Sequence, residues 1–133
     1  MTTEAPPASL PRMSRFRALR AWQEARRFAI LSNDAIEHLP AHERFILAEQ
    51  WRRAAYSVGL NLAEGAGRRT IRDFRRFVAI ARGSLDELEA ILDLVDGLAY
   101  LPQDRVEDLQ RSRKRCAQLV AGLMRRLDGL ADS

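Results

Sequence analysis

Gln50-Trp51-Arg52-Arg53-Ala54-Ala55-Tyr56-Ser57-Val58-Gly59-Leu60-Asn61-Leu62-Ala63-Glu64-Gly65, then Gly67-Arg68-Arg69-Thr70, reads as the end of one helix, a short turn and the start of another. The following residues decide the fold. Ile71, Phe74, Val78, Ala81, Leu85, Leu88, Leu92, Val95 and Ala99 alternate spacings of three and four. That is the seven-residue apolar seam of a bundle helix. Leu47, Trp51, Ala54, Val58, Asn61 and Gly65 give the preceding helix the same repeat. Thr70 is placed to cap the later helix, with Asp73 three residues on. Gly65 is expected to be the left-handed residue ending the earlier one. A connection this short makes the two helices antiparallel neighbours.

Ser57, Asn61 and Glu64 fall at spacings of four and three and share a face. Asn61 lies on the seam, where an amide without partners would cost about 1–3 kcal/mol. Two readings follow: a polar network that sets register, or a carboxamide–carboxylate pair with a chemical role. The first is preferred, because no nucleophile or metal ligand accompanies these residues.

The outward faces also carry information. Gly83, Ala90 and Gly97 lie furthest from the seam, and two glycines inside a helix cost about 1 kcal/mol each relative to alanine. Tyr56, Gly59, Leu60 and Ala63 make the outer side of the preceding helix apolar. Helices apolar on two faces are usually buried on two faces, so these seven positions are expected at a subunit interface. The competing reading is a scatter of small surface residues.

Charge is distributed unevenly. Arg68, Arg69, Arg72, Arg75 and Arg76 crowd the start of the long helix, whereas Asp86, Glu87, Glu89, Asp93 and Asp96 fill its second half. This order opposes the helix dipole, so partners rather than the helix set it. With Arg52 and Arg53, the five arginines are the candidate nucleic-acid contacts. No aromatic interleaving is expected, hence no base stacking.

The flanking segments complete an all-α, up-down-up-down antiparallel four-helix bundle. Residues 1–14, with Pro6, Pro7 and Pro11, read as a disordered tail, and 15–133 as the bundle. A first helix over 19–37 presents Trp22, Ala25, Ala29 and Ile36 to the core, and Pro40 ends it. The second starts near His42-Glu43. The third closes near Tyr100, ahead of Pro102. Asp104 is placed to cap the fourth, whose seam is Val106, Leu109, Arg113, Cys116, Val120, Leu123, Leu127 and Leu130. Antiparallel alignment puts Arg113 near Leu88. Arg111, Arg113, Lys114 and Arg115 would then neutralise the acidic half of the third helix, leaving its basic half without a counterweight.

Composition bounds the function. The chain has 133 residues, enough for one domain. Net charge is +4 and the pI about 10.2; Lys114 is the lone lysine among 22 basic residues. Guanidinium forks suit phosphate and carboxylate. Cys116, on the seam, is a core thiol rather than a nucleophile, and the lack of a disulfide framework fits the cytoplasm. His38 and His42, separated by Pro40, read as loop histidines rather than metal ligands. No cofactor loop, metal cluster or catalytic triad is visible, so an enzyme is not expected.

The block Arg52-Arg53-Ala54-x-x-Ser57-x-x-x-Asn61-x-Ala63-Glu64-Gly65, then Arg69, Phe74, Phe77 and Ala81-Arg82-Gly83-Ser84-Leu85-x-Glu87-Leu88, resembles a bacterial four-helix-bundle family. Some of its members are encoded by intervening sequences in large-subunit ribosomal RNA genes. The family is related to the accessory variability proteins of diversity-generating retroelements. The resemblance covers about residues 19–127; Val58, Gly59, Leu60 and Leu62 depart from the commoner isoleucine pattern around Asn61. It implies an up-down bundle assembled as a ring-like homopentamer. For the retroelement relatives it implies binding to a reverse transcriptase and to nucleic acid. The expected function is therefore a non-enzymatic RNA or DNA accessory, the alternative an adaptor ring without nucleic acid.

Overall fold

The computed structural model describes residues 15–131. The tail expected over 1–14 thus lies outside the described residues. Four helices follow one another: α1 (Arg20–Ile36), α2 (Leu47–Ala66), α3 (Ile71–Gly97) and α4 (Gln103–Ala131), with 3-10 turns at Arg15–Ala18 and Ala41–Glu43. Each packs on two others, α1 on α2 and α4, and α3 on α2 and α4, which closes a four-helix bundle.

Most positions of the seams predicted for α3 and α4 form the core; Leu130, the last position of the α4 seam, is exposed instead, and Ile71, Phe74 and Arg113 are half-buried. Val78, Ala81, Leu85, Leu88, Leu92 and Val95 meet Val106, Leu109, Cys116, Val120, Leu123 and Leu127 in the interior. In α1 the stripe is shifted by one position. Ala21, Ala25, Phe28, Ser32 and Ala35 are buried, whereas Trp22 and Ala29 sit at the edge. Alanine-rich helices tolerate such a rotation, because small side chains constrain the buried face weakly.

α2 is buried along two rows, and the bundle explains both. Leu47, Trp51, Ala54 and Val58 form one; Ala48, Ala55, Gly59, Leu62 and Ala66 form the other. Gly59 is corrected here: it is buried against α1, where an added Cβ would lie 2.9 Å from Trp22 Cζ3. Its missing side chain makes room for indole within the chain rather than for another subunit. Tyr56 and Leu60 do remain exposed, and Ala63 is half-buried.

Gly65 also differs from expectation. It is helical, not left-handed; no described glycine has positive φ, and α2 runs on to a cap at Gly67 with φ −86°. A Cβ at Gly65 would come within 2.9 Å of both Phe74 Cδ1 and Phe77 Cβ. The glycine permits close approach of α3, not a turn. Thr70 caps α3 as expected, its hydroxyl accepting from Asp73 N at 3.1 Å.

The left-handed residue is Ala99, with φ 55°. It ends α3 in a Schellman-type turn, in which Tyr100 N donates to Val95 O at 3.2 Å. Ala99 is consequently exposed and leaves the seam. At the other end of this connection, α4 begins at Gln103. Val106 N donates to Pro102 O, so Asp104 sits in the first turn rather than at the cap, still favourable for an acid. α2 likewise starts later than expected, at Leu47, because 41–43 form the 3-10 turn and Ile46 is non-helical (φ −121°, ψ −86°).

Candidate nucleic-acid interface

The first half of α3 brings a set of arginines onto one side. Arg72, Arg75, Arg76, Ala79 and Arg82 recur at spacings of three and four, so they line a single face. Met124 and Asp128 of α4 form the opposite wall. With Thr70 and Asp73 these residues enclose an open groove of about 800 Å³. Arg82, Ala79, Met124 and Asp128 were absent from the predicted set. The helical spacing identifies the first two, and the antiparallel register the others.

Asp128 overturns one expectation. Its Oδ1 lies 2.7 Å from Arg75 Nη2, so α4 does reach the basic half of α3. Asp128 Oδ1 nonetheless counts among the buried polar atoms without an aligned hydrogen bond. The close approach is therefore a charge contact with poor hydrogen-bond geometry. Arg68 pairs with Glu64 at 2.7 Å on its own side of the turn. Among the described residues, Arg69, Arg72, Arg76 and Arg82 form no ion pair, and the buried Nε atoms of Arg68 and Arg75 have no acceptor.

An aromatic ring does lie among these arginines. The Arg68 and Arg76 guanidinium carbons sit 4.7 and 4.6 Å from the Phe77 ring centroid, within cation–π range. Phe77 is half-buried beneath them and holds both planar groups at the surface.

Arg52 and Arg53 stand apart. Gln50 Nε2 donates to Glu87 Oε2 at 3.2 Å, so this part of α2 is level with the acidic half of α3. Arg52 Nε donates instead to Asn33 Oδ1 of α1 at 3.0 Å, a group that also accepts from Tyr56 Oη. The acidic half receives less from α4 than expected. Arg113 reaches Glu89 at 3.8 Å and Leu85 O at 3.4 Å. Arg111 pairs with Asp108, however, and Arg115 with Glu24 of α1.

The polar group is formed by Ser57 and Asn61 of α2 with Ser84 of α3. Asn61 Nδ2 donates to Ser57 O at 2.8 Å and to Ser57 Oγ at 3.0 Å, and Ser84 Oγ donates to Ser57 Oγ at 2.9 Å. Glu64 is not part of it, being turned to Arg68. The network links α2 to α3 at the midpoint of the long helix, and the half-buried Asn61 satisfies its amide locally.

Cys116 is buried, with Sγ 3.7 Å from Ala21 O. Burial, then the neighbouring Glu24 carboxylate, pushes its pKa from 9.0 up to about 12, against a smaller opposing effect of Arg113. Burial thus disfavours the thiolate, the form in which a cysteine is a nucleophile. Tyr100 is also raised, chiefly by its hydrogen bond to Glu43. His42 Nε2 lies 3.2 Å from the same hydroxyl. Among the described residues no three His, Cys, Asp or Glu side chains converge as a metal site, and no helix is long and apolar enough to cross a membrane.

These features define an all-helical bundle protein with an arginine-lined groove on its longest seam helix pair. The family model of the 23S rRNA-intervening sequence protein matches residues 17–122, and the chain belongs to that family. Among solved structures it is similar to a protein of unknown function from the S23 ribosomal protein family of Bacteroides thetaiotaomicron. Identity is 20%, the TM-score is 0.73, and the match covers 79% of this chain and 95% of that one. At that identity the likeness establishes the fold. No curated protein matches.

Proposed function

We propose that this protein is a non-enzymatic, oligomeric, cytoplasmic accessory of a nucleic acid or ribonucleoprotein, which takes up phosphate backbones along the basic half of α3. The observation that carries this reading is the groove itself. Four guanidinium groups, from Arg72, Arg75, Arg76 and Arg82, line one face, and only Arg75 is engaged by a carboxylate across it. Among the described residues Arg72, Arg76 and Arg82 form no ion pair, and such guanidinium donors are of the kind a phosphate oxygen satisfies. Family membership supports an RNA-linked context. A ring of five subunits, as the resemblance implies, would carry a formal charge of about +20 and attract polyanions through its field alone.

Self-association has its own support. Trp22, Ile30, Tyr56 and Leu60 line an apolar groove of about 430 Å³ on the outer α1–α2 face. A Cβ added at Gly83 or Gly97 of α3 would meet no other part of the chain within 4 Å. The second reading, an adaptor ring without nucleic acid, uses the same surfaces. In it Arg72 and Arg76 pair with Asp86, Glu89 or Asp93 of the next subunit.

Filter binding with mixed RNA and DNA at two salt concentrations, combined with light scattering, separates the readings. Phosphate binding predicts retention at low salt, weak sequence preference and a steep fall with salt through counterion release. The Arg72→Glu, Arg76→Glu variant should lose retention and keep its subunit number. No retention at low salt, together with dissociation of that variant, would replace the nucleic-acid reading by the adaptor.

A further inference from the structure

The two walls of the arginine groove differ in kind. Arg72, Arg75, Arg76 and Arg82 line it from α3, whereas α4 contributes Met124 and Asp128 and neither Arg125 nor Arg126. Ala79 lies within the arginine row and Met124 is half-buried, so an apolar strip runs beside the cations. The row from Arg72 to Arg82 is about 15 Å long, at about 1.5 Å of rise per residue. Backbone phosphates account for the cations and leave the rest of the groove without a role. A phosphate gains nothing from Ala79 or Met124, and it is repelled by Asp128, the carboxylate that engages Arg75 at 2.7 Å. Arg76 is restrained from below. Its guanidinium carbon lies 4.6 Å from the centroid of the Phe77 ring, which also carries Arg68 at 4.7 Å. Phe77 is fixed in turn by its contact with α2, since a Cβ at Gly65 would lie 2.9 Å from Phe77 Cβ. A planar cation backed by a ring on one side has its other side for a ligand, with little rotamer freedom left to lose.

A duplex and an unpaired strand meet such a groove differently. A duplex turns the phosphates of both strands outward and keeps its bases paired inside. Its bases cannot reach a strip between two helices, and its phosphates would press on Asp128. An unpaired strand has the same asymmetry as the groove, with charge along one edge and flat, largely apolar faces along the other. We infer that the groove takes a single-stranded polynucleotide, its phosphates on the α3 arginines and an unpaired base in the strip formed by Ala79, Met124 and the Arg76 guanidinium. This rests on phosphate binding by α3, as proposed above, and adds base stacking, which the spacing of aromatic residues in the sequence did not predict. Guanidinium planes stack on bases, and a methionine thioether makes favourable contacts with aromatic rings. The groove volume of about 800 Å³ falls among pockets that enclose a drug-sized ligand, about 300–1,000 Å³. That is room for individual nucleotides rather than for a duplex.

Fluorescence anisotropy on the full chain at low salt compares three labelled probes of equal length: a mixed-sequence strand, the same strand annealed to its complement, and a strand of abasic sites. All three are prepared as DNA, and the first two also as RNA. In at least one sugar series the unpaired strand should bind at least about tenfold more tightly than the duplex, although the duplex carries twice the phosphates, and the DNA strand should exceed the abasic strand by a similar factor. Arg76→Lys keeps a cation and removes the planar face. Arg76→Lys and Met124→Ala, each with helical content checked by circular dichroism, should lower affinity for the base-bearing strand several-fold more than for the abasic one. Equal or tighter binding of the duplex in both series, or equal losses on the two strands in both variants, would overturn the inference and leave phosphate binding in place. Failure of every probe to bind at low salt would instead remove phosphate binding by α3, and base stacking with it.

Discussion

The two halves of α3 share one seam and differ in everything else. Over 71–83 the helix carries arginines, packs its phenylalanines against Gly65 and faces α4 across a groove. Over 84–97 it carries acids and leaves Leu94 uncovered near an end where Tyr100 is bonded to Glu43. α4 meets both halves with opposite charge, Asp128 to Arg75 and Arg113 to Glu89. Each half therefore has one cross-helix neutralisation and several charges left over. The difference teaches that a continuous apolar seam fixes the fold, while the outward faces of the same helix are free to serve different partners.

The sharpest test of this contrast uses glycine. Gly65→Ala places a Cβ 2.9 Å from Phe74 and Phe77 side chains, and should destabilise the subunit by about 1–3 kcal/mol, measured by denaturant unfolding. Gly83→Leu meets open space within the chain. It should preserve the helical signal and break assembly, seen as a fall in mass by light scattering. Loss of folding in the second variant, or an unchanged mass, would erase the distinction between inner and outer faces.

At the junction of the halves, Asn61→Leu removes both amide bonds to Ser57 and leaves the Ser84–Ser57 bond in place. The expected effect is a loss of about 1 kcal/mol or a change in subunit number. Unchanged melting and mass, with polyanion binding gone, would move Asn61 from the framework to the site. At the acidic end, Ala99→Gly relieves a left-handed alanine and should raise stability by about 1 kcal/mol, with no effect on polyanion binding.

The smallest stability change is expected from Asp128→Asn. Both partners of the Arg75 contact are substantially exposed, so its removal should alter stability by less than about 1 kcal/mol. It should nonetheless strengthen RNA retention, because Arg75 is then free to meet phosphate. A decrease in retention would show that Asp128 positions the groove rather than competing for it.

Much of this was open to sequence reading. Periods of three and four identify four helices and most of their buried faces, since a helical face depends only on spacing along its own chain. Thr70 could be read as a cap, and Arg113 as a neighbour of the Leu88 region. The register that aligns those two also aligns Asp128 with the start of α3, but that consequence emerges only when α4 is followed to its end. The roles of Gly59 and Gly65 were not legible. A glycine that frees a dihedral and one that admits a neighbouring ring look identical in one dimension. Phe77 beneath two guanidiniums and the diversion of Glu64 to Arg68 likewise depend on which side chains meet across helices. Periodicity along the chain thus determined the architecture, while the axial register and rotation of packed helices, set by the volumes of Trp22, Phe74 and Phe77, decided which residues share a site.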